Sequence, residues 1–248
     1  MIRPADAEGL LSLKTDDPFY TRVLSLFESY GAGYDFAGVW TQDDGGANTS
    51  AISRFEDKFS LYLTDRSDLD EVAAFLRFQG AGSVMFDSAF GLNIHSKYAI
   101  TGGVLEYKGG NYNSDREIYA PDIKPLYELL KSCESDIFIV PEYMSFLSDV
   151  THRRNLGKCE IMGTDDGGVL ASSVMTVSQT EFAAIIGAVA THPDHRRKGL
   201  SRELVRTLAS RITGQGRAVY VFSASEANTR FYQGSGFYAA YEFTELFL

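Results

Sequence analysis

The stretch Ala184–Arg202, AIIGAVATHPDHRRKGLSR, constrains this chain more than any other. An apolar, strand-like segment (Ala184 to Thr191) runs through a turn marked by Pro193 into the basic run Arg196-Arg197-Lys198-Gly199-Leu200-Ser201. An amphipathic helix follows, because Leu200, Leu204, Leu208 and Ile212 recur every fourth residue with Val205 beside them. A strand entering a helix through a glycine-bearing turn makes an anion site. The first helical turn carries N–H groups without intrahelical acceptors, and the helix dipole favours negative charge there. Gly199 lets the backbone approach a phosphate, Ser201 is small enough not to block it, and Arg196, Arg197, Lys198 and Arg202 add positive charge. The spacing is neither GxGxxG nor GxxxxGK[ST], so the dinucleotide and P-loop readings fail.

The basic cluster stands against an acidic background, since the formal net charge over 248 residues is −10. Such a balance argues against a nucleic-acid or anionic-membrane binder. Hydrophobic content of 44% and charged content of 23% are ordinary for a globular protein. The length suits one large domain or two of roughly 110–130 residues. The two cysteines, Cys133 and Cys159, form no CxxC pair, so they read as reduced core residues and no metal is expected. No run of about 18 apolar residues occurs, which makes a cytoplasmic location the expectation.

In chain order, Pro4 to Tyr30 reads as helical with a break before Pro18, which fits the first turn of a new helix. Strands are predicted at 37–41, 49–55 and 58–63, then a helix over 67–79 and strands at 83–86 and 102–107. The hydrophilic stretch Gly109–Asp115 is a candidate boundary between a domain at 1–115 and another at 120–248. Helices are predicted at 122–131 and 141–153, strands at 157–162, 169–177 and 182–191, and a helix over 198–213. A buried strand at 218–222, a short helix at 226–232 and closing strands over 237–248 complete the pattern. A helix between strands implies a parallel crossover in a mostly antiparallel sheet flanked by helices, an α+β (α/β) fold.

Arg196, Gly199 and Ser201 resemble the acyl-CoA signature [Gln/Arg]-x-x-Gly-x-[Gly/Ala] of the GNAT superfamily of N-acyltransferases, with Ser201 as a small departure. Val189-Ala190-Thr191-His192-Pro193 looks like the family's entry to that loop. Asn228, Phe231, Tyr232, Gly236 and Phe237 resemble a second family motif near the C-terminus. The element order of residues 121–248 is similar to the GNAT order as well.

The resemblance implies an enzyme, an N-acetyltransferase moving the acetyl group of acetyl-CoA to a primary amine on a small molecule or peptide. It implies that backbone N–H groups of Arg197, Lys198, Gly199, Leu200, Ser201 and Arg202 hold the pyrophosphate. The backbone of Val189 and Thr191 would pair with the pantetheine, and Asn228 would hydrogen-bond that arm. Tyr232 would protonate the leaving thiolate. For the general base three residues stay open beside water: Glu181, His192 and Glu142. Some family members carry a glutamate where this chain has Ala183, and its absence keeps a non-catalytic acyl-CoA-binding module or sensor as the alternative. The acidic chain favours a cationic acceptor. The order of elements in 1–115 is reminiscent of a second GNAT-like unit without its CoA loop, since Thr64-Asp65-Arg66-Ser67-Asp68 is acidic and lacks glycine. That unit is expected to shape the acceptor cleft or mediate a homodimer.

Overall fold

In a computed structural model, residues 1–31, 34–135 and 138–248 are described. Their strands form one 11-stranded sheet that runs through both halves of the chain. The first half contributes β1 (Ile2–Pro4), α1 (Ala7–Leu11), α2 (Pro18–Tyr30), β2 (Ala37–Asp43), β3 (Asn48–Phe55), β4 (Lys58–Leu63), α3 (Leu69–Phe78), β5 (Ser83–Asp87) and β6 (Tyr98–Tyr107). The second contributes α4 (Ile123–Ser132), α5 (Tyr143–Asn155), β7 (Ile161–Asp166), β8 (Val169–Gln179), β9 (Ala183–Thr191), α6 (Leu200–Thr213), β10 (Ala218–Ser223), α7 (Glu226–Gln233) and β11 (Phe237–Phe247).

The strand order is β1-β2-β3-β4-β5-β11-β6-β10-β9-β8-β7, so the halves exchange strands at the centre. β6 pairs antiparallel with β10 on one side and with β11 on the other, while β11 also pairs with β5. A division at 115–120 in the sequence is therefore crossed by the sheet itself. The hydrophilic stretch around that division is packed, not a free linker. The Tyr112 N–H donates to the Ser210 hydroxyl at 2.8 Å, and the Arg206 guanidinium lies 4.0 Å from the Tyr112 ring.

Local chemistry sets the elements that matter for the site. Asp17 caps α2, accepting the N–H groups of Phe19 at 2.7 Å and Tyr20 at 3.1 Å, with Pro18 in the first turn. Because α2 buries most of its surface, it touches β2, β3 and β4 of the first half and β8 and β9 of the second. Helix α6 buries the predicted stripe: Leu200, Leu204, Val205, Leu208 and Ile212 all pack into the core. β7 begins later than the sequence suggests. Gly157, at φ +67, ends α5 in a Schellman turn in which Lys158 N–H donates to the Arg153 carbonyl at 2.7 Å, so the chain becomes extended only beyond it.

Candidate functional site

Strands β9 and β10 run parallel and paired from Ala183–Ala218 to Ile186–Val221, and then part. Ala188 adopts φ +47, and the β8–β9 register shifts between Ser173 and Met175. A left-handed alanine costs about 1–3 kcal/mol and persists only where its surroundings impose it. The bulge bends Gly187–Thr191 away from β10 and leaves an edge whose backbone groups are not consumed by that neighbour. A cleft of about 550 Å³ fills the opening. Val189, Thr191, Arg196, Ser201, Asn228 and Tyr232 all line it.

At the mouth, one turn of 3-10 helix (Pro193–His195) leads to Arg197 at φ +64 and Gly199 at φ +82. Gly199 is the N-cap of α6 and has no side chain to satisfy the helix start. Among the described residues, the N–H groups of Arg197, Lys198, Gly199, Leu200, Ser201 and Arg202 find no acceptor. The corresponding turn of the first half is closed. Ser67 Oγ accepts the Thr64 N–H at 2.9 Å, and Asp68 caps α3 by accepting the Glu71 N–H at 3.0 Å. One helix start is open to an anion and the other is not.

The side-chain charges around the open start differ from expectation in one respect. Among the described residues, Arg196, Arg197 and Arg202 make no ion pair, whereas Lys198 pairs with Asp166. Asp166 also accepts from His195 Nδ1 at 2.9 Å, and Lys198 and then His195 hold its carboxyl down at about 2. The Lys198 ammonium is thus committed to β7, and only its N–H faces the open turn. The Thr191 carbonyl is likewise engaged, accepting from Arg196 Nε and the Cys133 thiol, each at 3.3 Å.

Helix α7 brings the second motif to the same cleft. Ser225 caps it through the Asn228 N–H at 3.2 Å, and the Asn228 side chain is exposed with no partner among the described residues. Tyr232 is 8% exposed, edge-on to Phe231 at 5.1 Å and to Phe237 at 5.8 Å. Burial pushes its phenol up to about 12, so at neutral pH it is a proton donor.

None of the three base candidates lines the cleft. β9 starts only at Ala183, so Glu181 is an exposed turn residue at the opposite end of the strand from the bulge. Glu142 caps α5, accepting from the Met144 N–H at 2.8 Å and the Ser145 N–H at 3.3 Å. His192 Nδ1 accepts the Asp194 N–H at 3.3 Å and caps the 3-10 turn. Ala183 itself is fully buried.

Cys133, expected in the core, and Arg22, not singled out from the sequence, also line the cleft. Cys133 is half-buried there, not a core residue, while Cys159 is buried and its thiol is pushed up to about 11 by desolvation. Arg22 reaches the deep end from α2, its guanidinium 5.4 Å from the Phe222 ring and its Nε donating to Ser60 Oγ at 3.0 Å. A signal existed in the sequence: Arg22, Ser25 and Ser29 form a polar line at i, i+3 and i+7 in a helix otherwise apolar nearly all round.

Comparison with known proteins agrees with this architecture. Residues 168–246 match the family model described as FR47-like protein. A tandem GNAT protein from the clavulanic acid biosynthesis pathway superposes with a TM-score of 0.57 at 13% identity, covering 100% of this chain and 98% of that one. The chain has the tandem GNAT fold. A GNAT-family acetyltransferase from Colwellia psychrerythraea gives a TM-score of 0.57 at 13% identity, with 100% and 99% of the two chains covered. A GCN5-related N-acetyltransferase from Sphaerobacter thermophilus gives 0.60 at 14%, with 99% and 94% covered. A search of curated proteins finds no match. Within the tandem GNAT fold, the open helix start lies in the second unit. No helix among the described residues is long and apolar enough to cross a membrane, and no cluster of metal-ligating side chains occurs among them.

Proposed function

We propose that this protein is an N-acetyltransferase that moves the acetyl group of acetyl-CoA to a primary amine. The row of unpartnered N–H groups from Arg197 to Arg202, at the mouth of a cleft that follows the parting of two strands, carries the reading. These donors, with Arg196, Arg197 and Arg202 making no ion pair among the described residues, suit a pyrophosphate. The β9 edge at Val189 offers backbone groups to an amide-bearing arm, with Asn228 across the cleft. Bound acetyl-CoA supplies an acyl group activated as a thioester.

The amine nitrogen forms a bond to the thioester carbon, and the carbon–sulfur bond breaks. Backbone N–H groups beyond the Ala188 bulge serve the carbonyl oxygen as it gains negative charge. The thiolate takes the Tyr232 proton, and the amine releases its own to water, which restores the phenol. Among the described residues no carboxylate or imidazole lines the cleft, so water accepts the amine proton in this scheme. That same feature favours the second reading, an acyl-CoA-binding sensor without turnover.

Calorimetric titration with acetyl-CoA tests the proposal. Wild type should bind in the micromolar range, and an Arg197→Glu/Gly199→Asp variant should not. A wild type that fails to bind acetyl-CoA sinks both readings.

A further inference from the structure

We infer that the acceptor is an amino acid whose carboxylate is held by Arg22 in a second cavity behind the cleft. This rests on the acyltransferase reading above and names the class of its acceptor. The second cavity, of about 270 Å³, lies between the two halves. Arg22, Ser25 and Tyr30 of α2 and Ser60 of β4 form one side, and Arg153 of α5 with Val177 of β8 forms the other. Arg22 and Val177 also line the main cleft, so the two spaces adjoin at these residues. The main cleft runs from the open helix start to Ile185, Phe222 and Arg22. Its deep end is where an acyl group would arrive, and the second cavity opens there from the other side.

The chemistry of this junction is that of an anion site. Among the described residues Arg22 has no carboxylate within ion-pair reach, although Glu245 acts on it from further away. Burial lowers its pKa from the usual arginine value, and arginine stays charged in proteins, so a half-buried cation lines the cavity. Of its N–H groups, Nε is spent on Ser60, and the terminal nitrogens have no partner among the described residues. That leaves the planar fork that matches the two oxygens of a carboxylate. The other charges in the wall do not compete. Asp149 is taken by Arg153, at 2.9 and 2.6 Å, and by the Tyr30 hydroxyl, and Lys58 adds a second cation. In an α-amino acid one carbon separates carboxylate from amine, so anchoring the first at Arg22 keeps the second at the junction. The net charge of the whole chain suggests a cationic acceptor, but recognition is decided by the local field.

The test titrates N-acetylglycine, N-acetylleucine and N-acetylglutamate, each beside its carboxamide, into wild type, Arg22→Gln and Arg22→Lys. Acetyl-CoA is titrated into the same samples. At least one acid should bind wild type about 10- to 100-fold more tightly than its amide, the range expected for a charge-assisted pair. The preference should vanish in Arg22→Gln and survive in part in Arg22→Lys. Should Arg22→Gln fail to fold, Ser60→Ala, which removes only the hydroxyl that fixes Nε, must weaken the preference. Acid and amide binding equally, an acid preference that survives Arg22→Gln, or no binding of any probe overturns the assignment. Failure of wild type to bind acetyl-CoA is read on its own titration and falls on the parent reading, so the two failures are distinguishable.

Discussion

Ile186 on β9 and Val221 on β10 are the last paired residues before the two strands part, and Ile186 lines the cleft that opens there. What enters the opening is limited by small side chains along its walls, Ser201 among them. Ser201→Phe should therefore lower acetyl-CoA affinity at least about tenfold, a cost of about 1.4 kcal/mol in binding. Because Ser201 is half-buried on the cleft wall and not among the core residues of α6, the melting temperature should change little. Calorimetry and thermal unfolding on the same sample check both halves of the expectation.

Tyr232→Phe keeps the ring packed against Phe231 and Phe237 and removes only the hydroxyl. Loss of a general acid lowers turnover by about 10²–10⁴. The dissociation constant for acetyl-CoA should stay within about twofold, as the packing is unchanged. Steady-state thiol release beside a binding titration measures this. Equal loss of turnover and affinity would remove the proton-donor role.

Asp166 draws the Lys198 ammonium away from the helix start. Asp166→Asn should release it, tighten acetyl-CoA binding several-fold and steepen the dependence of that affinity on salt, since a freed surface cation acts through a screened field. Titrations at low and high ionic strength test it. An unchanged salt slope would show that Lys198 does not reach the phosphates even when free.

Burial pushes both Tyr20 and Tyr232 up to about 12. In the unfolded chain these phenols titrate near 10. Between those values the folded state binds more protons, so the stability they contribute is complete below pH ~10 and is lost as pH rises through about 12. Unfolding followed by circular dichroism should fall in that window, with phenolate absorbance rising together with it and not before.

The helices and strands were largely legible because periodicity reports burial. The Leu200–Ile212 stripe and the Pro18 start both sit where pattern and turn chemistry put them. The open turn at Gly199 was legible for the same reason, since it is a local backbone property. Arg22 was legible only as part of a polar line on α2; its place at the cleft was not, because it arises when α2 crosses onto β8 and β9, a packing that no local spacing encodes. Nor were the capping duties of Glu142 and His192, which look in sequence like free acid–base groups. The exchange of β6 and β11 was illegible too, since alternation marks a strand but not its neighbours.

That exchange makes a direct prediction. Residues 120–248 expressed alone lack β6, which separates β10 from β11 and bonds to both. The fragment should be unfolded or aggregated, and co-expression with residues 1–115 should restore a soluble pair, read by circular dichroism and size-exclusion chromatography. A folded, monomeric fragment would show that the second unit closes its sheet without the borrowed strand.

The same interlock governs how the chain reaches its native state. The Ser88 and Thr244 hydroxyls meet at 2.8 Å although 156 residues separate them. Contacts of such separation form late, because a long loop must close before they repay its entropy. Until then β5, β6 and β10 present raw edges in the middle of an unfinished sheet, where a neighbouring molecule's β11 is as good a partner as the chain's own. Slow refolding with a yield that falls as concentration rises, and dimers joined by traded strands, are the kinetic signature of this topology.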